Sequence, residues 1–516
     1  MKLTGHGKKW LLGMVIFLLA GFLFAKGDKE SSTASSEKDE GITEMELFVN
    51  HSWWTLKNWN GTIPEEITNE TGVRLNIHVA TDSNQLPLMI ASDELPELIY
   101  TSNEGSGFYK MLSNSNVCYP WNELIEKYAV DFKPDPMLAK INTVKDGNFY
   151  TILNNLSSQN EWNAKPKAIP AGMPGIAIRT DLMEELGNPP LQNLVDFENT
   201  LMMVKKNYPD MIPLIMEPNW LGAYFRAAFG TQETGFEIKD DKLIHVLYEQ
   251  EQLDYYLFLN RLYRNGLITA ENFAIKGGDS ARAEEFALNG KAFAYQHEIT
   301  IADRLNTKLE RSDKNFRFNL ISNLLSENFE FYQNEIGWSG VFITKENKNP
   351  EKAINFVKYM SSDKGQMTGL WGIEGRDWSM HEEGYPIFNY NSQDTDFLDH
   401  EGIFWWGLLF STAANEGLGK FVPGTEMTEA GLEMKKVAVF RPELGLIKPE
   451  PESDIDIISK KIKDMVEIEE INIYLAESEA EAEEAYYRMI GLAERIGLEK
   501  YSVWANEQYG MIKDSF

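Results

Sequence analysis

The chain has 516 residues, with 49 basic and 79 acidic side chains and a formal charge of −30. Hydrophobic residues make up 43% of it and aromatic residues 12%, which allows a large core and excludes an intrinsically disordered protein. The negative charge repels phosphate backbones, so we expect no nucleic-acid partner. The one cysteine, Cys118, excludes an intramolecular disulfide and a zinc or iron–sulfur site built from cysteines.

The N-terminus has the pattern of an export signal. Three lysines precede an uncharged apolar stretch over residues 10–24, which is shorter than the roughly 20 residues of a membrane-spanning helix. We predict a signal peptide over residues 1–25, with a retained anchor as the alternative. Residues 26–43 are rich in Ser, Glu and Lys and predict a flexible spacer. We expect a periplasmic or extracellular protein without a lipid anchor, because no cysteine is available there to carry one.

Strand and helix patterns alternate along the folded part. Apolar residues of strand type predict strands at residues 45–49, 73–79, 98–100, 175–179 and 340–344. Helices are predicted at residues 64–72, 85–91, 180–187 and from 350 onward, with Thr180 as an N-cap, and residues 454–513 predict helices with an acidic face. This alternation indicates an α/β protein with parallel sheet covered by helices.

The motifs of common enzyme classes are absent. The chain contains no H-E-x-x-H, G-x-S-x-G, G-x-x-x-x-G-K-[ST] or G-x-G-x-x-G. Carboxylate pairs carry little information among 79 acidic residues. Asp394, Asp396 and Asp399 lack the Gly and the closing Glu of a calcium-binding EF-hand loop. We therefore predict no catalytic residue, no cofactor and no metal site.

Several tryptophans lie in loops at the predicted ends of strands, where open α/β sheets bind ligands. Aromatic rings can cover the C–H faces of a sugar, while charged and amide groups bind its hydroxyls. Core packing is the alternative for each tryptophan, and structural ion pairs are the alternative for the two arginines. The candidate ligand-binding residues are Trp53, Trp54, Asn103, Trp220, Arg226, Trp338, Glu374, Arg376 and Trp378.

Four segments, in order along the chain, resemble one protein family. They are Leu88-Met-Ile-Ala-Ser-Asp-Glu-Leu-Pro-Glu-Leu-Ile99, Gly175-Ile-Ala-Ile-Arg-Thr-Asp-Leu-Met-Glu-Glu-Leu-Gly187 with Asp196-Phe197, Trp338-Ser-Gly-Val-Phe-Ile-Thr344 with Asn349-Pro-Glu-Lys-Ala-Ile-Asn-Phe356, and Gly372-Ile-Glu-Gly-Arg-Asp-Trp378 with Glu383-Gly384. They are similar to segments of the extracellular solute-binding proteins of ABC importers, in the branch of carbohydrate binders like LipO and YtcQ. The resemblance covers nearly all of the mature chain.

The resemblance implies an α/β, two-lobed type II periplasmic-binding-protein fold with a helical C-terminal extension. Residues 44–165 would form the first part of lobe 1, residues 166–335 mainly lobe 2, residues 336–450 the remainder of both lobes, and residues 451–516 the C-terminal helices. An oligosaccharide or sugar derivative would bind between the lobes, which close on it by a hinge motion. The partners would be this ligand and the permease subunits of the importer, and the protein would be a monomer without enzymatic activity.

Two departures from the family pattern affect these expectations. Residues 204–213 lack the oxygen-ligand spacing of the calcium loop that some relatives carry, so no calcium is expected. Leu182 stands where the family commonly has a Trp.

Arg226 and Arg376 leave room for an anionic sugar, since Arg can bind a carboxylate through two hydrogen bonds. A secreted carbohydrate-active enzyme and a binder of peptides or another solute remain alternatives.

Overall fold

The computed structural model describes residues 41–516, apart from 55, 83, 103–106, 171, 233–234, 275–279, 334, 393, 404–407, 409–410 and 516. The predicted signal peptide, most of the predicted spacer and the candidate residue Asn103 lie outside the described residues. All elements below belong to one compact unit, residues 42–516. In the described part of the chain no helix is long and apolar enough to cross a membrane.

The first stretch of the chain alternates strands and helices and then continues as helices. Its elements are β1 (Thr43–Val49), α1 (Thr62–Thr71), β2 (Val73–Val79), α2 (Gln85–Ser92), β3 (Leu98–Ser102), α3 (Phe108–Leu112), α4 (Trp121–Tyr128), α5 (Pro136–Asn142) and α6 (Gln159–Ala164). α1 ends at Gly72, which has φ +65° and donates its N–H to the carbonyl of Thr68. Glycine adopts this left-handed backbone without the steric cost that a side chain imposes.

The second stretch holds most of the next sheet. Its elements are β4 (Pro174–Arg179), α7 (Thr180–Glu185), α8 (Leu194–Asn207), β5 (Ile212–Met216), α9 (Ala223–Ala228), β6 (Phe236–Lys239), β7 (Lys242–His245), α10 (Gln250–Arg264), α11 (Ala270–Ala274), α12 (Ser280–Leu288), β8 (Ala292–Glu298), α13 (Ile301–Arg311) and β9 (Phe318–Leu320). The prediction that Thr180 caps α7 is wrong, because its hydroxyl donates to the carbonyl of Arg317, across the contact with β9.

The third stretch returns to the first sheet and ends in long helices. Its elements are β10 (Phe331–Gln333), β11 (Ser339–Ile343), α14 (Pro350–Ser361), α15 (Asp363–Trp371), β12 (Trp378–Met380), β13 (Pro386–Phe388), α16 (Thr395–Glu401), α17 (Ala413–Gly419), α18 (Glu426–Val437), β14 (Ala438–Phe440), α19 (Pro442–Gly445), α20 (Asp454–Tyr474), α21 (Glu479–Ile496) and α22 (Leu498–Ile512). The apolar face predicted for α14 is buried, as are Ile462 and Ile473 of α20.

Two four-stranded sheets define two lobes. The sheet of lobe 1 has the order β11-β3-β1-β2, in which β1 runs parallel to β2 and β3, and β11 runs antiparallel to β3. The sheet of lobe 2 has the order β5-β8-β4-β9, in which only β5 and β8 are a parallel pair. The prediction of parallel sheet is therefore correct for half of the pairs in these sheets. Periodicity along one strand carries no information about the direction of its neighbour.

Each lobe has its own hydrophobic core. In lobe 1, Leu47 and Val49 of β1 pack on one side of the sheet, and Phe48 packs in a separate cluster on the other side. The strand is covered on both faces, which explains why an apolar residue interrupts its alternation. In lobe 2 the core extends from β4 and β8 into the C-terminal helices through Tyr474 and Tyr486. The helical extension is thus part of lobe 2.

Candidate functional site

The chain passes between the lobes at one end of each sheet. The lobe 1 core extends to Leu156, and the chain joins the lobe 2 sheet at Pro174, which pairs with Glu298, the last residue of β8. It returns after β9 and re-enters lobe 1 at Ser339, which pairs with Ser102, the last residue of β3. We call these the lobe 1 edge and the lobe 2 edge. Ligands of open α/β sheets bind outside such strand ends.

The lobe 1 edge carries a cluster of aromatic rings. Trp53 follows β1 and Trp338 precedes β11, and their ring centroids lie 5.9 Å apart. The side chain of Trp53 is 52% exposed, and that of Trp338 is half-buried. Trp54 lies beneath them, 1% exposed, with its ring 5.5 Å from that of Tyr100 in an edge-on arrangement. The sequence candidates Trp53, Trp54 and Trp338 therefore come together at one site.

His51 occupies the centre of this cluster. Its ring centroid lies 5.2 Å from Trp53, 5.1 Å from Trp338 and 4.9 Å from Tyr100, and its Nε2 is 2.8 Å from the Ser339 hydroxyl oxygen. Burial lowers the pKa of His51 from 6.5 to about 4. The imidazole is consequently neutral at physiological pH and orients the two tryptophans through packing and one hydrogen bond.

The first crossing segment is tied to the same place by Asn154. Its backbone N–H donates to the Ser339 carbonyl at 2.8 Å, and its side-chain oxygen accepts from the Ser339 N–H at 3.1 Å. Its Nδ2 donates to the Tyr100 hydroxyl at 3.4 Å. The next residue, Asn155, has a φ of +57°, which a non-glycine residue adopts only with local strain. The aromatic cluster and the inter-lobe connection thus share hydrogen bonds.

The lobe 2 edge carries one tryptophan over a second buried histidine. Trp220 ends a short 3-10 turn, Pro218–Trp220, that follows β5, and its ring stacks on that of His297 at 6.0 Å with an interplanar angle of 26°. Burial, and then the guanidinium of Arg304, lower the pKa of His297 to about 3. Nη2 of Arg304 is 3.0 Å from Nε2 of His297. Both edges therefore have a tryptophan supported by a neutral imidazole.

Two carboxylates adjoin the Trp220–His297 pair along the chain. Glu217 directly follows β5 and is buried, and Glu298 ends β8, where its carboxylate accepts hydrogen bonds from the N–H and hydroxyl of Thr300. The hydroxyl of Tyr295 is buried and has no hydrogen-bond partner within the described residues. Burial, and then the negative charges of Glu217 and Glu284, raise the pKa of Tyr295, so it stays protonated.

Arg226 lies away from both edges. Its guanidinium carbon lies 4.6 Å from the ring centroid of Tyr255, and its Nη1 is 3.5 Å from the side-chain oxygen of Gln252. Burial opposes its charge, but the surrounding tyrosines and Glu470 of α20 raise its pKa overall. The Glu470 carboxylate accepts from the hydroxyls of Tyr256 and Tyr474, at 3.4 and 3.3 Å. In the structure Arg226 therefore joins α9 to α10, and Glu470 of α20 acts on it through its charge.

The remaining candidates lie in the segment after α15. Arg376 bonds to Asp377 at 2.7 and 2.8 Å and to Glu401 at 2.8 Å. Trp378 is 4% exposed, packs edge-on against Trp371 at 5.1 Å and donates its indole N–H to the Gly372 carbonyl at 2.9 Å. Glu374 is exposed. These three residues are not in ring or hydrogen-bond contact with the tryptophans of either edge in the contacts described.

The sequence did not single out His51, Asn154, Ser339, Glu217 or His297. His51 lies two residues before the candidate Trp53, and Ser339 directly follows the candidate Trp338, so proximity to these candidates is the signal that could have indicated them. Glu217 lies three residues before Trp220, and its carbonyl accepts the Trp220 N–H at 3.0 Å. His297 is brought to Trp220 by the pairing of β5 with β8, where Met216 pairs with Gln296. No signal along the chain indicates that pairing. In the described part, no three His, Cys, Asp or Glu side chains are grouped so as to bind a metal ion.

No family model matches the chain, and no curated protein matches it significantly. Solved structures do match. The alginate-binding protein AlgQ2 without calcium is 18% identical, with a TM-score of 0.63 over 92% of this chain and 99% of that one. A solute-binding protein of an ABC transporter from Bifidobacterium longum infantis, described as binding HMO, is 12% identical, with a TM-score of 0.63 over 91% and 99% of the chains.

A third match is the ABC-transporter substrate-binding protein FusA of S. pneumoniae in complex with kestose. It is 15% identical, with a TM-score of 0.63 over 92% of this chain and 100% of that one. At these identities the similarity establishes the architecture, and it extends over almost the full length of each of these proteins. The chain therefore has the two-lobed α/β fold of ABC-transporter solute-binding proteins.

Proposed function

We propose that the protein is an exported substrate-binding protein of an ABC importer, which binds an oligosaccharide or sugar derivative between its lobes. The observation that carries this proposal is the placement of Trp53 and Trp338 on the lobe 1 edge and of Trp220 on the lobe 2 edge. Rings on both edges suit the two C–H faces of a chain of sugar units. The fold and the motif resemblance support the same reading.

Further parts of the proposal follow from the resemblance. The protein would belong to the branch of carbohydrate binders like LipO and YtcQ and would act as a monomer in the periplasm or outside the cell. It would deliver its ligand uncut to membrane permease subunits, without a cofactor. Trp53, Trp220 and Trp338 would form the ring contacts, with Trp54 packing beneath them. The roles of Asn103, Arg226, Glu374, Arg376 and Trp378 as ligand contacts remain predictions.

The test is a thermal-shift screen of the purified chain against neutral and acidic oligosaccharides, with amino acids and peptides as controls. A ligand at 100 times its dissociation constant stabilises the native state by about 2.7 kcal/mol, which gives a measurable shift in melting temperature. We expect a shift with one class of glycan and recovery of that glycan intact. Cleavage of the glycan would favour a carbohydrate-active enzyme, and a response to peptides alone would contradict sugar binding.

A further inference from the structure

The lobe 1 edge presents uncharged groups. Its aromatic rings surround His51, whose imidazole is held neutral by burial. Beside them, Nδ2 of Asn50 donates to the hydroxyl oxygen of Thr101 at 3.0 Å, and Ser339 and Asn154 contribute a hydroxyl and an amide. None of these groups carries a charge at neutral pH. These groups are suited to C–H faces and hydroxyls, and none of them is a cation that could bind a carboxylate.

The lobe 2 edge carries more negative than positive charge. Glu217 directly follows β5, and Glu298 is the last residue of β8, the parallel neighbour of β5. Burial raises the pKa of Asp303 in α13, and the negative charges of Glu426 and Glu298 raise it further. A carboxylate on a ligand would be repelled by the same charges.

Two cations lie near this edge, and each has a carboxylate within 4 Å. Lys420, which follows α17, lies 3.2 Å from Glu416, and although burial opposes its charge, the charges of Glu416 and Glu298 raise its pKa. Arg304 lies 3.7 Å from Glu284 and 3.0 Å from Nε2 of His297, while its Nε has no hydrogen-bond partner within the described residues. An anionic ligand would have to compete with Glu416 for Lys420, at a cost in free energy that a neutral ligand avoids.

Arg226 and Arg376, the two arginines considered above as partners of an acidic sugar, make contacts within the protein. Arg226 lies among tyrosines inside lobe 2, and Arg376 is held by Asp377 and Glu401. By contrast, the buried Tyr295 hydroxyl lies close to the charge of Glu217 and has no hydrogen-bond partner in the described part of the chain. A buried hydroxyl without a partner is costly, and the hydroxyl of a sugar, directly or through water, would satisfy it.

We propose that the ligand is a neutral oligosaccharide and that the carboxylates around Trp220 select against sugars that carry carboxylates. This inference rests on the proposed function and narrows its ligand class. Specificity of this kind comes from unfavourable interactions with the wrong ligand as much as from contacts with the right one.

The first experiment screens the purified chain on a glycan library that contains neutral, uronate-bearing, sialylated and amino-sugar oligosaccharides. The best neutral binder is then compared by calorimetry with the oligosaccharide of the same linkage whose C6 hydroxymethyl is oxidised to a carboxylate. We expect the neutral form to bind at least tenfold more tightly at 50 mM salt. The preference should shrink at 1 M salt, where charges are screened within about 3 Å.

The outcomes separate the two proposals. Tighter binding of a uronate, a sialylated glycan or a cationic amino sugar would overturn the neutral class while leaving carbohydrate binding intact. Binding of peptides and of no glycan would overturn the proposed function and this inference with it.

A second experiment tests the carboxylates themselves. Glu298→Gln and Glu217→Gln each keep the size of the side chain and remove its charge. The ratio of neutral to uronate affinity should fall about threefold or more in each variant, even where neutral binding also weakens. Glu310→Gln changes an exposed carboxylate at the far end of α13 and should leave the ratio unchanged. An unchanged ratio in both test variants, with the fold intact by circular dichroism, would contradict a role for these carboxylates.

Discussion

Trp53 and Trp338 lie with their ring centroids 5.9 Å apart at one edge of the lobe 1 sheet, although one follows the first strand and the other precedes the eleventh. The antiparallel pairing of β11 with β3 produces this proximity, because it brings the start of β11 to the end of β3. His51 touches both rings and so fixes their relative position. The arrangement is assembled from three segments that lie far apart along the chain.

The two adjacent tryptophans after β1 should respond differently to truncation. Trp53→Ala removes a 52% exposed ring, so we expect at least tenfold weaker glycan binding with little loss of stability. Trp54→Ala removes a 1% exposed ring from the core, and we expect the free energy of unfolding to fall by about 3–5 kcal/mol. Calorimetry measures the first effect and urea denaturation the second.

Tyr487→Ala is the matched control, because its ring is 59% exposed on α21 in the C-terminal helices. It should change neither binding nor stability appreciably. If Trp53→Ala bound the glycan as tightly as the Tyr487→Ala control does, ring stacking by Trp53 would be excluded.

Much of the fold can be predicted from local patterns. The strands β1 and β2, the helices α2 and α14, and the αL glycine that ends α1 all match what apolar periodicity and capping indicate. These features depend on neighbours within one element, which the sequence displays directly. The directions of β4 and β11 depend on a partner strand far along the chain, and no local pattern encodes them.

The candidate site was only partly predictable for the same reason. A tryptophan in a loop beside a strand can point outward, as Trp53 does, or into the core, as Trp54 and Trp378 do. Local composition does not distinguish these cases, since Trp53 and Trp54 are adjacent and share the same neighbours in the sequence. His297 was not selected because its relation to Trp220 arises from the pairing of β5 with β8.

Double-mutant cycles should show which tryptophans act together. Trp53 and Trp338 touch each other and His51, so Ala substitutions at both should be non-additive in ligand binding by about 0.5–1.5 kcal/mol. Trp53 and Trp220 lie on different lobes, so any coupling between them must act through the ligand or through lobe closure. The effects of the two substitutions on the binding free energy should therefore be non-additive for a long oligosaccharide that spans both edges and additive for a monosaccharide. Coupling that is equal for both ligand lengths would contradict a site shared by the two edges.

His51 should make stability depend on pH in a defined direction. Burial lowers its pKa to about 4 in the folded state, whereas the unfolded chain has a value near 6.5, so the unfolded state binds more protons between these values. The contribution of the neutral imidazole is fully present above pH 6.5, declines as pH falls toward 4 and is constant below that. The stability difference between wild type and His51→Gln should narrow over this range in urea denaturation.

His245→Gln is a control on the pH measurement, because burial also lowers the pKa of His245 to about 4 but its ring packs against Phe236 and Tyr501 in lobe 2. The difference in the free energy of unfolding between wild type and His245→Gln should also narrow as pH falls. Glycan binding should be unchanged in His245→Gln and weaker in His51→Gln. A difference between wild type and His51→Gln that stayed constant from pH 7.5 to 4 would show that the imidazole is not held neutral.

Arg226 offers a direct choice between a ligand contact and a structural charge. Its surroundings of Gln252, Tyr255 and Glu470 favour the structural role. Arg226→Met removes the positive charge that offsets burial at the Glu470 carboxylate, and we expect the free energy of unfolding to fall by about 1–3 kcal/mol. Adding Glu470→Gln should restore part of the lost stability, because the second change removes the uncompensated charge.

In both variants the dissociation constant for the glycan should stay within about twofold of wild type, provided that it is measured well below the melting temperature. Loss of glycan binding in Arg226→Met with an unchanged free energy of unfolding would instead make Arg226 a ligand contact, and it would reopen an anionic ligand.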